Sequence, residues 1–242
     1  MKKKFLVVVP IFNEEDKIQS VVEETINHSD SFADLLLVND GSTDNSSFLL
    51  EKMKSKYPNI HLIQKPKNEG YGASLISGMK FSKDMGYEFF ITMDCDEQHQ
   101  PEDLVRFRNE DTSYDLVSGS RYLPESGIQG ISAPPERVEI NRRITTLLSK
   151  RYDWKITDSF CGYKRYRTRA FPAENFLETG YAAPMELWSY VKMKNLSWKE
   201  IPVDRIYITD SRSFGEDLDK KRKRYHYYLK IFYSSEKRFQ MD

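Results

Sequence analysis

The chain has 242 residues, enough for one α/β domain with elaborations, and 39% apolar and 13% aromatic residues allow a sizeable core. Its 37 basic and 37 acidic residues balance, so net charge gives no argument for a nucleic-acid partner. Cys95 and Cys161 lack metal-type spacing and are too few for a disulfide framework, which points to a reducing, cytoplasmic setting.

Met1-Lys2-Lys3-Lys4 before an apolar run imitates a secretory leader. Pro10 interrupts that run, no small-residue cleavage site follows, and it meets Asn13-Glu14-Glu15-Asp16, so it reads as a buried first strand, 5–11. Further strands are predicted at 35–39, 60–64, 89–93 and 116–120, with helices at 15–27, 45–56, 71–85 and 101–108 between them. Apolar strands alternating with amphipathic helices predict a mainly parallel sheet covered on both faces. From Tyr122 to Arg137 the pattern breaks at Pro124, Gly127, Gly130, Pro134 and Pro135, and a long mobile loop is expected. A helix at 138–151, a β-like stretch at 160–166, a helix at 184–194 and a strand at 198–208 follow, then a helical basic and aromatic tail from Leu218. Nowhere do about 18 apolar residues run together, as a bilayer-spanning helix requires.

In such sheets ligands bind outside the carboxyl ends of the strands. Asn13-Glu14, Asp40-Gly41-Ser42, Asp94-Cys95-Asp96 and Arg121 all fall at those ends. Asp94 and Asp96, one residue apart, suit a single Mg²⁺ or Mn²⁺, with Gln98 adding a neutral oxygen; the competing reading is an acidic turn. His99 fits a turn better than a ligand set. Asp40 suits a nucleobase edge, while Thr43 or Asp44 caps the next helix. Pro10, Phe12, Asn13 and Glu14 end the first strand, or simply signal a helix start. Asn68-Glu69-Gly70-Tyr71-Gly72-Ala73 is half a dinucleotide fingerprint without its third glycine, open to close helix packing or an anion site. Arg121 suits a phosphate clamp.

Taken together, these pieces resemble family 2 glycosyltransferases of the GT-A fold, nearest the dolichyl- or polyprenyl-phosphate mannosyl- or glucosyltransferase branch. The likeness runs through Val7–Glu14, Val38–Asp44, Asn68–Ala73, Met93–Glu102, Gly119–Tyr122 and Asp158–Tyr166, over about residues 5–215. It implies a catalytic domain over 1–215, divided into a donor half (1–121) and an acceptor half (122–215), with a helical extension at 216–242. It further implies a nucleotide-sugar donor held by Pro10, Phe12, Asn13, Glu14, Asp40, Asp94, Cys95, Asp96 and Arg121, with GDP or UDP as carrier. Asp94, Asp96 and Gln98 would hold the Mg²⁺ or Mn²⁺. Asp158, Cys161, Gly162, Lys164 and Arg212 would face the acceptor. Asn39 stands where the family has the first of two aspartates, Cys161 where it has serine, and Arg212–Leu218 lacks the family's final Ser-Lys.

The implied chemistry is inverting transfer, with Asp96 and Arg121 serving the departing diphosphate. A phosphate acceptor, such as a polyprenyl or dolichyl phosphate, is already anionic and needs no base. A soluble sugar or polysaccharide hydroxyl needs one, and Glu186 is the candidate. A nucleotidyltransferase would show a Gly-rich basic loop where Asn13-Glu14-Glu15-Asp16 stands; a catalytically inactive binding protein of the same fold is the other rival. The tail, Lys220-Lys221-Arg222-Lys223-Arg224 before Tyr225, Tyr227, Tyr228, Phe232 and Tyr233, admits two readings. It is either a peripheral contact with the inner membrane face or a core-packed or dimer-forming helix.

Overall fold

The computed structural model describes residues 4–207 and 218–241. In chain order its first half contains β1 (Phe5–Ile11), α1 (Ile18–Ser29), β2 (Ala33–Asn39), α2 (Ser46–Lys56), β3 (Ile60–Gln64), α3 (Tyr71–Asp84), β4 (Phe89–Thr92), α4 (Leu104–Asn109) and β5 (Leu116–Ser120). The second half adds β6 (Ile128–Gly130), α5 (Pro135–Tyr152), β7 (Lys164–Arg167), α6 (Ala183–Met193), β8 (Trp198–Pro202), β9 (Arg205–Tyr207) and α7 (Lys221–Met241). Seven strands form one sheet in the order β3-β2-β1-β4-β7-β5-β8, and β6 pairs with β9 outside it. Only β7 runs against its neighbours, so β1 to β5 all end on one edge, where β7 begins.

Successive strand residues point to opposite faces, and both faces are buried. Leu6, Val8, Leu36, Val38 and Phe90 face a core built with α3, α5, α6 and α7. Val7, Val9, Leu35, Leu37, Phe89 and Ile91 face a second core under α1, α2 and α4. The GT-A architecture expected from the sequence, a mainly parallel sheet with helices on both sides and a C-terminal helix, is the one present.

Several boundaries differ from expectation, three of them for a clear local reason. The first helix begins at Ile18, because Glu15 is drawn into the neighbouring loop: its N–H donates to Asp44 Oδ2 at 3.1 Å and its carboxylate accepts from Asn45 N at 2.9 Å. The expected 198–208 strand breaks at Asp204, whose carboxylate accepts from Gly127 N and Gln129 Nε2. That break lets β9 leave the main sheet and pair with β6, giving the 122–137 segment a strand of its own. The next helix starts at Pro135, a favoured first-turn proline, earlier than the expected Val138. The basic, aromatic tail is a core-packed helix: Tyr228, Phe232 and Phe239 join the same apolar cluster as Trp188 and Leu148.

Candidate active site at the carboxyl edge of the sheet

The ends of β1 and β2 are stitched together by short polar side chains. Asn13 takes a left-handed backbone (φ 55°), donating its N–H to Ser42 Oγ and accepting Thr43 N at 2.8 Å. Glu14 N donates to Ser46 Oγ. Asn39 donates to Ser47 Oγ and Gln64 Oε1 and accepts from Ser42 N, so the residue at this departure from the family pattern braces the turn. Asp40 is buried, accepting from Lys65 Nζ at 2.8 Å and Gly70 N at 2.8 Å. A nucleobase would therefore share a carboxylate that already holds the 65–70 loop. Phe12, just after β1, is 41% exposed.

The Gly70-Tyr71-Gly72 segment serves close packing. Ala73 N, in the first turn of α3, donates to the carbonyl of Thr179 at 3.0 Å. A Cβ on Gly72 would lie 2.2 Å from the Glu178 carbonyl. A backbone carbonyl thus occupies the helix start where an anion was one of two expectations.

At the end of β4, Asp94 N donates to His99 Nδ1 at 3.0 Å, which places the ring proton of a neutral His99 on Nε2. Burial lowers the pKa of His99, favouring that neutral form, and its ring stacks on Tyr163. Asp96 is buried and accepts from Gln98 N. Cys95 points into the core under α1, its thiol pushed up by burial, so it offers a ligand no side chain. Asp94 Oδ1 is buried with no hydrogen-bond partner, and a Cβ on Gly162 would sit 2.8 Å from Asp94 Oδ2. An orphaned carboxylate oxygen kept clear by a glycine suits a hard divalent cation. Among the described residues no three His, Cys, Asp or Glu side chains converge. A Mg²⁺ or Mn²⁺ here would lean on one or two carboxylates, Gln98, water and ligand phosphates, which is how these ions bind.

Arg121, after β5, is aimed by Asp158. Its Nε and Nη2 donate to the two carboxylate oxygens at 2.7 and 3.0 Å. Burial opposes both charges, yet the pair outweighs it: Arg121 rises above the usual range and Asp158 is held down to about 2. Asn141 Nδ2 and Phe160 N also donate to Asp158, and Glu200 accepts from its N–H. Asp158 is therefore a positioning group behind Arg121.

A cavity of about 170 Å³ opens beside these groups. Of the expected residues, Asp94, Gln98, Arg121, Cys161, Gly162, Lys164 and Glu186 line it. Pro10, Phe12, Asn13, Glu14, Asp40, Cys95 and Asp96 lie outside its wall, and Arg212 lies outside the described residues. Its remaining wall is largely apolar, including Leu75, Ile76, Met79, Ile140, Phe160 and Leu187. Glu186, the candidate general base, has its carboxylate engaged: it accepts from Leu177 N and Glu178 N and pairs with Arg238. Sequence reading missed Tyr71, Arg137, Asn141, Tyr181 and Arg224 as lining residues. For Arg224 a signal existed, since Arg224, Tyr228, Phe232, Ser235 and Phe239 fall on one helical face.

A mainly parallel sheet with carboxylates and an arginine gathered at its carboxyl edge is the arrangement in which open α/β proteins bind their ligands. Residues 6–173 match Glycosyl transferase family 2, and the chain belongs to that family. It is 26% identical over 201 residues to the polyprenol monophosphomannose synthase of Mycolicibacterium smegmatis, covering 82% of this chain and 72% of that one. It is 26% identical over 216 residues to the undecaprenyl-phosphate mannosyltransferase of Micrococcus luteus, covering 88% and 86%. In structure it is similar to glucosyl-3-phosphoglycerate synthase from Mycobacterium tuberculosis, solved with Mn²⁺, UDP and glucosyl-3-phosphoglycerate. The TM-score is 0.69 at 14% identity, over 96% of this chain and 80% of that one.

Proposed function

We propose that this glycosyltransferase moves a hexose from a GDP- or UDP-sugar, with inversion, to the phosphate of a polyprenyl- or dolichyl-type lipid. The observation that carries this reading is the cavity: Asp94, Gln98, Arg121 and Lys164 line it together with many apolar side chains. The names of the two curated relatives, both of which specify polyprenyl-type acceptors, support it. Pro10, Phe12, Asn13, Glu14 and Asp40 would seat the nucleoside, and Asp94, Asp96 and Gln98 a divalent cation. When bound, that cation would stabilise charge building on the departing diphosphate. Arg121, fixed by Asp158, adds a preorganised positive charge on the same side. The engagement of Glu186 favours an acceptor that needs no base, because a phosphate monoester is largely ionised at neutral pH. The site would then work at the inner face of a membrane, reached from the cytoplasm.

The test pairs a thermal-shift panel of nucleoside diphosphates with Mn²⁺ and a transfer assay using the best-matched sugar nucleotide. Stabilisation by GDP or UDP, followed by label moving into a short-chain polyprenyl phosphate, is the expected result. Transfer only to a soluble hydroxyl or phosphoglycerate acceptor overturns the lipid reading, and full transfer by Asp94→Ala overturns the cation site.

A further inference from the structure

Lys164 begins β7 with only 2% of its surface exposed, yet it lines the cavity. An ammonium has three N–H donors. One donates to Ser118 Oγ at 2.5 Å, and the Trp188 ring, 5.1 Å from the nitrogen to its centroid, covers another side. Among the described residues no carboxylate forms an ion pair with Lys164. Arg121 likewise keeps Nη1 without a hydrogen-bond partner among those residues, since Asp158 engages Nε and Nη2. Asp94 lines the same cavity with its Oδ1 unpartnered, and no ion pair joins it to either cation. A structural lysine ordinarily sends its head group to water or to a carboxylate, because an unpaired buried charge is costly. Here the head group is enclosed by a hydroxyl, a ring and a cavity.

We propose that Lys164 is a phosphate-binding residue of this cavity, its remaining N–H donating to a phosphate oxygen of the bound ligand. The anion supplies the counter-ion that the protein withholds. Burial is the largest influence on Lys164 and lowers its pKa; Cys161, Asp158 and Glu200 pull upward, and Arg121 adds to the lowering. An entering phosphate opposes that lowering, so binding raises the pKa of Lys164 and is linked to proton uptake where the group titrates. The inference rests on the cavity being the transfer site, but its test reads binding without a sugar or turnover. The phosphate belongs either to the donor diphosphate or to an acceptor phosphomonoester.

The experiment is calorimetry at mildly alkaline pH in phosphate-free buffers of contrasting ionisation heat. One arm titrates inorganic phosphate and the other UDP or GDP, into the wild type, Lys164→Arg and Lys164→Met. Wild type should bind with net proton uptake. Lys164→Arg, always charged, should bind without uptake, and Lys164→Met should bind at least about tenfold more weakly, the scale of one charge-assisted hydrogen bond. A loss confined to inorganic phosphate assigns Lys164 to the acceptor; a loss confined to the nucleotide assigns it to the donor. Unchanged binding of both probes by Lys164→Met, or no binding of either by the wild type at millimolar concentration, overturns the proposal. Should Lys164→Met fail to fold, the lysine ¹³Cε resonances of the wild type decide. One that is absent from Lys164→Arg must shift when the probe is added, and no such shift overturns the proposal.

Discussion

Asp158 sets the direction of Arg121, and it also sets a pH limit on the folded state. Burial alone would raise its pKa, but the Arg121 side chain and N–H and the Asn141 donor hold it at about 2. A carboxylate depressed below its ordinary value near 3.9 gives stability that is complete above about pH 4 and lost as pH falls through about 2. Asp158→Asn leaves Arg121 buried without its counter-charge, which costs roughly 3–5 kcal/mol when a buried pair is broken. Urea unfolding at neutral pH should show a destabilisation of that order. Between about pH 4 and pH 2 the variant should lose less further stability than the wild type, because residue 158 no longer titrates. Equal acid sensitivity of the two proteins in that window would assign the acid response to other carboxylates.

Among the elements, those read most easily were the ones whose burial is simple. β1 matches its expected limits because a continuous apolar run admits few alternatives. β7 was legible only as a β-like stretch. Its Lys164-Arg165-Tyr166-Arg167 looks like a solvated turn, yet Arg165 is fully buried, donating to the carbonyls of Phe107, Glu110 and Asp111. Hydropathy has no way to anticipate carbonyls contributed from 55 residues away. The same limit applies to the site. The strand-end motifs marked Asp94 and Arg121, but the far wall from α3, α5, α6 and α7 is made by packing, not by spacing. For α7, periodicity named both the buried face and the exposed basic one and left their roles open. The structure puts Phe232 fully inside the core against Tyr152. Phe232→Ala should therefore cost about 3–5 kcal/mol, measured by urea unfolding. A change under about 1 kcal/mol would mean that α7 rests on the domain without sharing its core.

For the molecule as a whole, the proposed lipid acceptor requires the protein to meet a membrane surface. No helix of the described residues is long and apolar enough to cross a membrane. Nor is the aromatic face of α7 free to enter a bilayer, because Tyr228, Phe232 and Phe239 are buried. What remains outside is charge: Lys220, Lys221, Arg222 and Lys223 are all exposed at the start of the helix, one turn from Arg224 in the cavity wall. Such a cluster adheres to anionic lipid at about 1 kcal/mol per basic side chain near the surface and is screened by salt. Truncation before α7 would confuse this with loss of the core, so the informative variant reverses charge and keeps the helix. Lys220→Glu and Arg222→Glu together spare Lys221, which pairs with Glu139, and Lys223, which is also engaged. At low salt the wild type should float with vesicles of anionic lipid and stay behind with neutral ones, and added salt should release it. The reversed variant should stay behind with both, with an unchanged melting temperature and unchanged nucleoside diphosphate binding. If the wild type ignores anionic vesicles at low salt, the basic turn is a solvated surface. The lipid acceptor would then have to reach the cavity as a dispersed molecule, and a soluble phosphate-bearing acceptor becomes the stronger reading.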